Sequence, residues 1–501
     1  MRGFWQEILI GGFILGLLSP LVASTQTLIW DTNCGSRYND FGNAGLPTAD
    51  GNYLLLGSTF SSTKGDFDIY LVTLNSAGDT IRTTTFGGDS TEYGYDISST
   101  HESGYIIVGS TTSFGAGKRD VYIIKVDSLG TVIWSRTIGG PEDDEGAAVR
   151  ATRDGGFIIC GTTNSYGAGY GDLYLIKTNA AGDTVWTRAF GGAGGESGSA
   201  VRETVDGGFI AVGSTGSFGE GYSSIYVVRC AANGDSLWAK TYGGSKADFG
   251  SALEITSDGG YVVAGGTASF GAGYADAYLI RLDSLGNFIW QNTYGGTKDD
   301  RAYAVCLAGV GGYLLAGTTE SFSGTQADVF IIRTDSAGNQ IWSKNYGGAK
   351  SDYGRAVFQD QQKDYIVSGY SYSYTSSGSD IYVLKIKGDS TSANGGPTSA
   401  DGDLKDLLPA DFALSQNYPN PFNMTTRIAY SLSRRSPVDL TIFNILGQDV
   451  RKWSMKSQSA GTYSVEWDGS DKSGKMISSG IYLCRFSVPG FTQTRKIVVM
   501  K

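Results

Sequence analysis

Histidine is almost absent from this chain of 501 residues, in which His101 stands alone. Catalytic triads and metal sites built on histidine are therefore excluded. The sequence also lacks a phosphate-binding loop and a dinucleotide fingerprint between a strand and a helix. We accordingly expect no catalytic residue, no metal ligand and no cofactor, and a role other than catalysis is favoured.

Cysteine and clustered positive charge are also scarce. The cysteines are odd in number and lack a regular spacing, so we expect no disulfide bond among Cys34, Cys160, Cys230, Cys306 and Cys484. The net charge is −10 without a basic stripe, which makes nucleic acid and anionic membranes poor partners.

The first 24 residues have the pattern of a secretory signal peptide. Arg2 precedes an apolar stretch over residues 8–22, and small residues suited to a cleavage site follow. Glu7 dilutes the positive start, so a retained membrane anchor stays open as an alternative. The pattern predicts a secreted or cell-surface protein.

A unit of 52 residues is repeated through most of the chain. Its tryptophan recurs without insertion or deletion, apart from one replacement by arginine, at Trp30, Arg82, Trp134, Trp186, Trp238, Trp290 and Trp342. Glycine, with 74 residues, marks the turns between runs of strand-forming residues. A period of this size indicates a repeat architecture.

Each unit contains four runs typical of β-strands, which we name A to D in chain order. In the fifth unit we place them at residues 251–256, 261–267, 275–282 and 287–293. Strands B and C are apolar on both faces, so each sheet must be covered on both sides. Four-stranded sheets packed face to face around an axis meet this requirement, which predicts an all-β, seven-bladed β-propeller over residues 25–387.

The two ends of the repeated part complement each other. The seventh unit stops after its strand C, whereas residues 27–32 carry the Trp30 of a strand D that no strand A, B or C precedes. We therefore predict that this N-terminal strand completes the last blade and leaves no free sheet edge.

A smaller second domain is expected at the C-terminus. Residues 388–410 are rich in Ser, Gly, Asp and Pro, which predicts a linker. Five strand-like runs then predict an Ig-like β-sandwich over residues 411–501, with strands at 427–432, 438–444, 461–467, 480–486 and 494–499.

Two sets of motifs carry resemblances to known families. The C-terminal segment contains NYPNPFN at 417–423, VDLTIFNILGQDV at 438–450, AGTYSVEWDG at 460–469, SSGIYLCRF at 478–486 and RKIVVMK at 495–501. It thereby resembles the type A sorting domain of the type IX secretion system of Bacteroidetes-like bacteria and the related FlgD Ig-like fold. The resemblance implies export across the outer membrane by a translocon that reads residues 411–501, often with removal of the domain and a surface attachment in its place.

The second set lies in the repeats. The elements GG, an acid, DGG with an aromatic residue, GxT and DxYLIKxDxxGxxxW recur over residues 30–387. With these elements the chain resembles the β-propeller repeat family known as SBBP. That resemblance implies a fold and very little chemistry.

An acidic residue opens every unit, and together these residues would form a ring at one end of the predicted propeller, namely Asp40, Glu92, Asp144, Glu196, Asp248, Asp300 and Asp352. One interpretation is a cation site or a paired-carboxylate glycosidase, with Asp144, Asp300 or their neighbours Asp143 and Asp299 as candidates. The other is that each acid accepts backbone hydrogen bonds in its own loop. Because a catalytic pair needs two acids and the chain has seven, the structural interpretation is favoured.

A second acidic series follows the same period and receives the same interpretation, at Asp68, Asp120, Asp172, Asp276, Asp328 and Asp380, with Ser224 in the remaining unit.

The repeats disagree in the loop between strands B and C. Three consecutive units carry Tyr170, Tyr222 and Tyr274 where other units have charged, amide or glycine residues. Adjacent exposed aromatic rings predict a stacking platform for sugars or a peptide, while recent duplication or packing on a neighbouring loop is the alternative. A second departure is Arg301, which replaces an aromatic residue found in other units.

These observations together predict a secreted or cell-surface binding or display module. We expect a glycan or protein ligand on the face that carries the D–A and B–C loops. A carboxylate-dependent glycoside hydrolase or lyase and a purely structural surface protein are the alternatives.

Overall fold

The computed structural model describes residues 26–36, 38–60, 66–309, 311–324, 326–375, 378–389, 412–414, 417, 422, 425–458 and 461–499. Within these residues the secondary structure is all β, and none of it is a helix that is long and apolar enough to cross a membrane. The signal peptide predicted at 1–24, nearly all of the predicted linker and most of the NYPNPFN motif lie outside the described residues. Internal contacts divide the chain into two units, residues 1–391 and 392–501.

The described part of the first unit folds into seven four-stranded sheets in simple up-and-down order. Sheet 1 contains β2 (Asp40–Pro47), β3 (Tyr53–Phe60), β4 (Phe67–Leu74) and β5 (Thr80–Phe86). Sheet 2 contains β6 (Glu92–Ser99), β7 (Tyr105–Thr111), β8 (Asp120–Val126) and β9 (Val132–Ile138). Sheet 3 contains β10 (Asp144–Ala151), β11 (Phe157–Thr163), β12 (Asp172–Thr178) and β13 (Thr184–Phe190).

The later sheets repeat this order. Sheet 4 contains β14 (Glu196–Glu203), β15 (Phe209–Thr215), β16 (Ser224–Cys230) and β17 (Ser236–Tyr242). Sheet 5 contains β18 (Asp248–Ile255), β19 (Tyr261–Thr267), β20 (Asp276–Leu282) and β21 (Phe288–Tyr294). Sheet 6 contains β22 (Asp300–Leu307), β23 (Tyr313–Thr319), β24 (Asp328–Thr334) and β25 (Gln340–Tyr346).

Sheet 7 draws its strands from both ends of the repeated part. It contains β26 (Asp352–Gln359), β27 (Tyr365–Ser371), β28 (Asp380–Ile386) and, as its fourth strand, β1 (Leu28–Cys34). The N-terminal strand β1 runs antiparallel to β28, with Trp30 opposite Lys385 and Cys34 opposite Ile381. The fourth strand of sheet 7 is therefore the strand that the sequence assigned to it.

Strand A of sheet 5 begins at Asp248, three residues before the start predicted from composition. In sheet 5 the ladder starts with Asp248 opposite Thr267 and is interrupted by a β-bulge between Gly250 and Ala252. The same bulge occurs in all seven A strands. Residues 248–250 precede the bulge, and their aspartate and glycine are typical of a loop, so composition placed the start of the strand at Ser251.

The hydrophobic cores lie between neighbouring sheets. Strands B and C are buried along almost their whole length, as in β19 and β20, because a sheet covers each of their faces. One core joins each consecutive pair of sheets, and a further core joins sheet 7 to sheet 1 through residues such as Ile366 and Leu55. The A strands of neighbouring sheets also contact one another, including β26 and β2.

The tryptophans of strand D are half-buried for the most part, rather than core residues. Trp186 lies against Gly234 in the C–D turn of the next sheet, and its indole N–H donates to the carbonyl of Ala232 at 3.0 Å. A Cβ at Gly234 would lie 2.9 Å from the Trp186 ring, so a side chain there would displace it. In five of the seven sheets, the repeated tryptophan thus packs against the glycine of the C–D turn of the next sheet.

The second unit is a sandwich of two sheets. One sheet contains β29 (Ala413–Leu414), β30 (Thr426–Leu432) and β33 (Gly461–Trp467). The other contains β32 (Asp449–Gln458), β31 (Ser436–Asn444), β34 (Gly480–Val488) and β35 (Phe491–Val499). Both sheets contribute to one core, which includes Tyr430, Trp467, Leu440 and Phe486.

Sequence reasoning missed β29 and β32 in this second unit. Strand β32 has the sequence DVRKWSMKSQ, whose charged and polar residues alternate between half-buried and exposed positions. Among the described strands it pairs with β31 alone and therefore lies at the edge of its sheet. Its polar composition is typical of an exposed edge strand rather than of a core strand.

Candidate ligand-binding site

The chain order of the strands sorts their connections to two ends of each sheet. In an antiparallel sheet, the loop that enters strand A and the loop from strand B to strand C emerge at the same end. We call this the loop end. Hydrogen bonds join the two loops there, as where the amide of Lys246 donates to Ser269 Oγ at 3.0 Å.

The first acidic series lies at the loop end but is not open to it. These acids are the first residues of the A strands and are 0–3% exposed, at Asp40, Glu92, Asp144, Glu196, Asp248, Asp300 and Asp352. Asp248 accepts hydrogen bonds from the amide of Gly244 and from Ser269 Oγ, both at 2.7 Å, and from Thr267. Contacts of this kind within one unit are those that the structural interpretation requires.

The two acidic series meet at the junctions between sheets. A Cβ at Gly295 would lie 2.3 Å from a carboxylate oxygen of Asp276 and 2.6 Å from one of Asp300. Glycine is needed here because the two carboxylates occupy the space that a side chain would fill. The same arrangement recurs at other junctions, with a glycine between the second acid of one sheet and the first acid of the next.

Burial raises the pKa of Asp276 to about 6, and the nearby charge of Asp300 adds to the shift. The pKa values of Asp120, Asp172, Asp328 and Asp380 are raised in the same way, first by burial and then by the acid of the next sheet. These pairs combine an acid that is readily protonated with a second carboxylate, but Asp276 is 3% exposed and Asp300 is 0% exposed. A substrate would therefore not reach them without opening the loop end.

The remaining acid candidates lie nearer the surface. Asp299 pairs with Arg301 at 3.3 Å, and Asp143 accepts the amide of Asn164 through its carbonyl. In the part of the chain that the structure describes, no group of three or more His, Cys, Asp or Glu residues could hold a metal ion. All five cysteines are free.

The three tyrosines project from equivalent positions of sheets 3, 4 and 5. Tyr170, Tyr222 and Tyr274 are 89%, 87% and 78% exposed, which makes them the most exposed large aromatic side chains that the structure describes. None of their rings contacts another of the three within the described residues. We call these residues the tyrosine platform. They present three separate exposed aromatic rings at the loop end.

Arg301 lies at the loop end of sheet 6, outside the tyrosine platform. Its guanidinium stands 5.3 Å from the ring centre of Phe249 on sheet 5 and pairs with Asp299. Arg301 is therefore already engaged by a carboxylate and an aromatic ring of its own chain.

A further set of variable residues was missed by sequence reasoning. The bulge in each strand A leaves one residue unpaired, and the seven bulge residues are Asn43, Tyr95, Ala147, Ser199, Ser251, Tyr303 and Arg355. All seven are half-buried. A bulge redirects its side chain away from the sheet, and the disagreement of the repeats at this position was the signal that could have identified it.

The bulge residues of sheets 6 and 7 form an aromatic cluster around an arginine. The guanidinium of Arg355 lies 4.2 Å from the ring centre of Tyr303, 5.6 Å from that of Tyr370 and 5.9 Å from that of Tyr353. Tyr353 and Tyr370 are opposite each other on β26 and β27, with ring centres 4.8 Å apart. We call Tyr303, Tyr353, Arg355 and Tyr370 the arginine cage.

The C-terminal sandwich has an apolar surface of its own. The turn after β31 exposes Ile445 and Leu446, at 74% and 78%. A shallow groove beside it is lined by Phe443, Leu483 and Arg485, whose guanidinium lies 4.3 Å from the Phe443 ring centre. This turn is part of the VDLTIFNILGQDV motif.

Comparison with known families identifies part of this second unit. Residues 420–488 match the family described as the FlgD Ig-like domain, in agreement with the sandwich seen here. No curated protein matches the chain.

Similar solved structures are distant from this chain in sequence. PorZ, described as an essential bacterial surface component of the type IX secretion system of Porphyromonas gingivalis, aligns with a TM-score of 0.40 and 11% identity over 95% of this chain and 61% of PorZ. This chain thus spans less than two thirds of PorZ. A fungal alcohol oxidase of the AA5 family aligns with a TM-score of 0.47 and 12% identity over 95% of this chain and 100% of the oxidase. The WD40 domain of Neurospora crassa Pan2 gives a TM-score of 0.40 and 11% identity, over 70% and 97%.

Proposed function

We propose that residues 26–389 form a closed seven-bladed β-propeller that binds a glycan or protein ligand at its loop end. Closure is supported by the shared core of sheets 7 and 1, by the contact of β26 with β2 and by the amide of Asp40, which donates to the carbonyl of Ser379 at 2.7 Å. In this arrangement no sheet is left with an uncovered apolar face.

The exposure of the tyrosine platform is the observation that carries the binding role. An aromatic side chain that is more than three-quarters exposed gains little from burial within its own chain. Three such rings at equivalent places on consecutive sheets provide repeated stacking surfaces, and tyrosine combines an apolar face with a hydroxyl that can hydrogen-bond to a sugar or a peptide.

A glycan and glycoprotein array probed with the full chain tests this role. The variant with Tyr170→Ala, Tyr222→Ala and Tyr274→Ala is expected to bind at least tenfold more weakly than the wild type to any ligand of the array that the wild type binds. A matched control replaces Val185, Leu237 and Ile289 by Ser, because these residues are exposed aliphatic side chains of strand D on the same three sheets. Equal binding by the tyrosine variant and the wild type would contradict the proposal, and product formation in the same wells would favour the carboxylate-dependent enzyme.

We also propose that the C-terminal sandwich directs the chain through a type IX secretion translocon to the outside of the cell. The match of residues 420–488 to the FlgD Ig-like domain and the order of the C-terminal motifs support this assignment. The exposed pair Ile445 and Leu446 offers an apolar contact for the translocon.

Expression in a bacterium that has this secretion system tests the export role. A chain that ends at residue 389 is expected to remain inside the outer membrane, while the full chain becomes accessible to added protease. The double variant Ile445→Ser, Leu446→Ser separates recognition from folding, because these exposed residues contribute little to the sandwich core. Surface exposure of the truncated chain would overturn the proposal.

A further inference from the structure

Arg355 differs from the other buried or half-buried arginines of the described residues 26–389 in lacking a carboxylate partner. Each of the others has an Asp or Glu within 4.0 Å, at Arg119, Arg150, Arg188, Arg202, Arg229, Arg281, Arg301 and Arg333. The chain therefore neutralises its enclosed guanidinium groups as a rule. Arg355 is the exception within that range.

The hydrogen bonds of Arg355 are also incomplete. Its Nη2 donates to the hydroxyl of Tyr370 at 3.2 Å, while Nε is buried and has no partner in the structure. A guanidinium carries five N–H donors in a planar fork, and a buried donor without a partner is costly. The arginine cage thus holds a charge and hydrogen-bonding capacity that the chain does not use.

Three tyrosine rings hold this charge in place without neutralising it. Cation–π contacts favour a fixed position of the guanidinium over the rings, but they accept no hydrogen bond in the plane of the fork. Arg355, Tyr303, Tyr353 and Tyr370 are all half-buried, so the arginine cage is partly open to solvent, while Nε of Arg355 lies on its enclosed side. A carboxylate fits that fork with two parallel hydrogen bonds.

The geometry points to the arginine cage as a binding site for the carboxylate of an acidic sugar, such as a uronic acid unit of a polysaccharide. The cage supplies phenol hydroxyls and ring faces around the guanidinium, and sugar rings use both kinds of contact. This inference rests on the proposed binding role of the loop end and adds the charge class of its ligand.

Titration with an oligogalacturonate tests the inference directly. The full chain is expected to bind the oligogalacturonate at least tenfold more tightly than its methyl ester, which keeps the sugar rings and removes the charge. Arg355→Met is expected to lose at least tenfold in affinity, whereas Arg355→Lys retains part of it because lysine keeps the charge but not the fork. Arg136→Met on the exposed outer strand of sheet 2 is the matched control and should bind like the wild type.

A spectroscopic measurement keeps the test independent of the stability of the variants. In the wild type, the Nε–H resonance of Arg355 is expected to shift on addition of the oligogalacturonate, because a carboxylate bound to the guanidinium changes the electronic surroundings of the whole group. An unmoved resonance, equal binding of the ester, or unchanged binding by Arg355→Met would each overturn the inference. Tighter binding of a tetraglutamate peptide than of the oligogalacturonate would also overturn it, in favour of an acidic peptide.

Failure of this inference is distinguishable from failure of the proposed function. If the tyrosine platform binds a neutral glycan, that binding is lost in the triple tyrosine variant and unaffected in Arg355→Met. The reverse pattern, with uronate binding lost in Arg355→Met and retained in the triple variant, supports the arginine cage alone.

Discussion

Sheets 3 to 5 and sheets 6 and 7 are built on one repeat but present different chemistry at the loop end. Sheets 3 to 5 carry the tyrosine platform and the small bulge residues Ala147, Ser199 and Ser251. Sheets 6 and 7 lack such platform tyrosines and carry Tyr303 and Arg355 at the bulge. Both sides retain the four-stranded sheet and the bulge in strand A, so these differences lie on a shared backbone framework.

The largest effect on stability is expected at the glycine that faces the bulge. A Cβ at Gly369 would lie 1.7 Å from the carbonyl oxygen of Tyr353, and one at Gly213 would lie 1.7 Å from that of Ser197. Because backbone must move in both cases, Gly369→Ala and Gly213→Ala should each lose about 3 kcal/mol or more of unfolding free energy. Urea unfolding measures the loss.

The same two variants test whether ligand binding at sheets 6 and 7 is independent of the structure of sheets 3 to 5. Gly369→Ala is expected to abolish uronate binding below its unfolding temperature, because it displaces Arg355, while Gly213→Ala leaves that binding intact. A loss of less than 1 kcal/mol in Gly369→Ala would show that the bulge tolerates a methyl group after all.

The next largest effect is expected at Asp389, which lies beyond the last strand of sheet 7. Sheets 4 and 5 pair the buried arginine of strand C with an aspartate of their own A–B turn, as in Arg229 with Asp206. Position 310 of the sixth unit is valine, and Asp389 instead lies 2.6 Å from Nε of Arg333, which is 1% exposed. Asp389→Ala should therefore cost about 2–4 kcal/mol by leaving a buried charge unpaired.

A compensating change sharpens this prediction about sheet 6. Adding Val310→Asp to Asp389→Ala should restore most of the lost stability, since it gives sheet 6 the partner that sheets 4 and 5 have. Calorimetry of the single and double variants measures the recovery. No recovery would mean that Asp389 acts through Trp342 or Tyr365, which it also contacts, rather than through Arg333.

A smaller effect, dependent on pH, is expected at the junction of the two sides. The pKa of Asp276 is about 6, above its ordinary value, so the folded state binds this proton more tightly than the unfolded state does. The protonated Asp276 carboxyl therefore stabilises the folded state at pH 4, and this stabilisation is lost as the pH rises through 6. Asp276→Asn, which stays neutral, should exceed the wild type by on the order of 1 kcal/mol at pH 8 and match it near pH 4.

Thermal unfolding between pH 4 and 8 measures this difference. The junction of sheets 4 and 5 is the natural control, because Ser224 occupies the place of the second acid there. Ser224→Ala should change stability equally at both pH values. A constant difference between Asp276→Asn and wild type across the range would show that Asp276 does not titrate in the folded state.

The smallest effect is expected at the tyrosine platform itself. Replacing Tyr170, Tyr222 and Tyr274 by Ala removes side chains that are at least 78% exposed, so the unfolding free energy should change by less than about 0.5 kcal/mol. Chemical unfolding tests this, and a larger loss would show that the rings pack on neighbouring loops in solution.

The repeat made most of the strand framework predictable, whereas the bulge did not follow from composition. Apolar strands B and C, such as 261–267, were placed correctly because both faces are buried and the turns on either side contain glycine. Strand A of the fifth unit was placed too late because Asp248 and Gly250, which precede the bulge, have the composition of a loop. The all-β class and the four-stranded repeat are confirmed, and the C-terminal Ig-like domain is confirmed by its family match.

The residues of the candidate site were likewise predictable only in part. The exposure of Tyr170, Tyr222 and Tyr274 was predictable because they occupy a variable position in a loop, and loops lie at the surface. Arg355 was missed because it is within a strand, where an isolated arginine indicates nothing by itself. Its candidate role depends on the fold, because Tyr370 comes from another strand and no described residue provides a carboxylate partner for Arg355.

The N-terminal strand is an edge strand of sheet 7 that comes from the opposite end of the repeated part. Strand β1 belongs to sheet 7 through its pairing with β28 alone, although more than 340 residues separate their sequences. A chain without residues 26–36 would present the free edge of β28, and a synthetic peptide with that sequence can then restore the sheet from outside. Because one strand alone closes sheet 7 from a distant part of the sequence, we expect exchange of strands between chains, if it is forced at high concentration, to occur at this sheet.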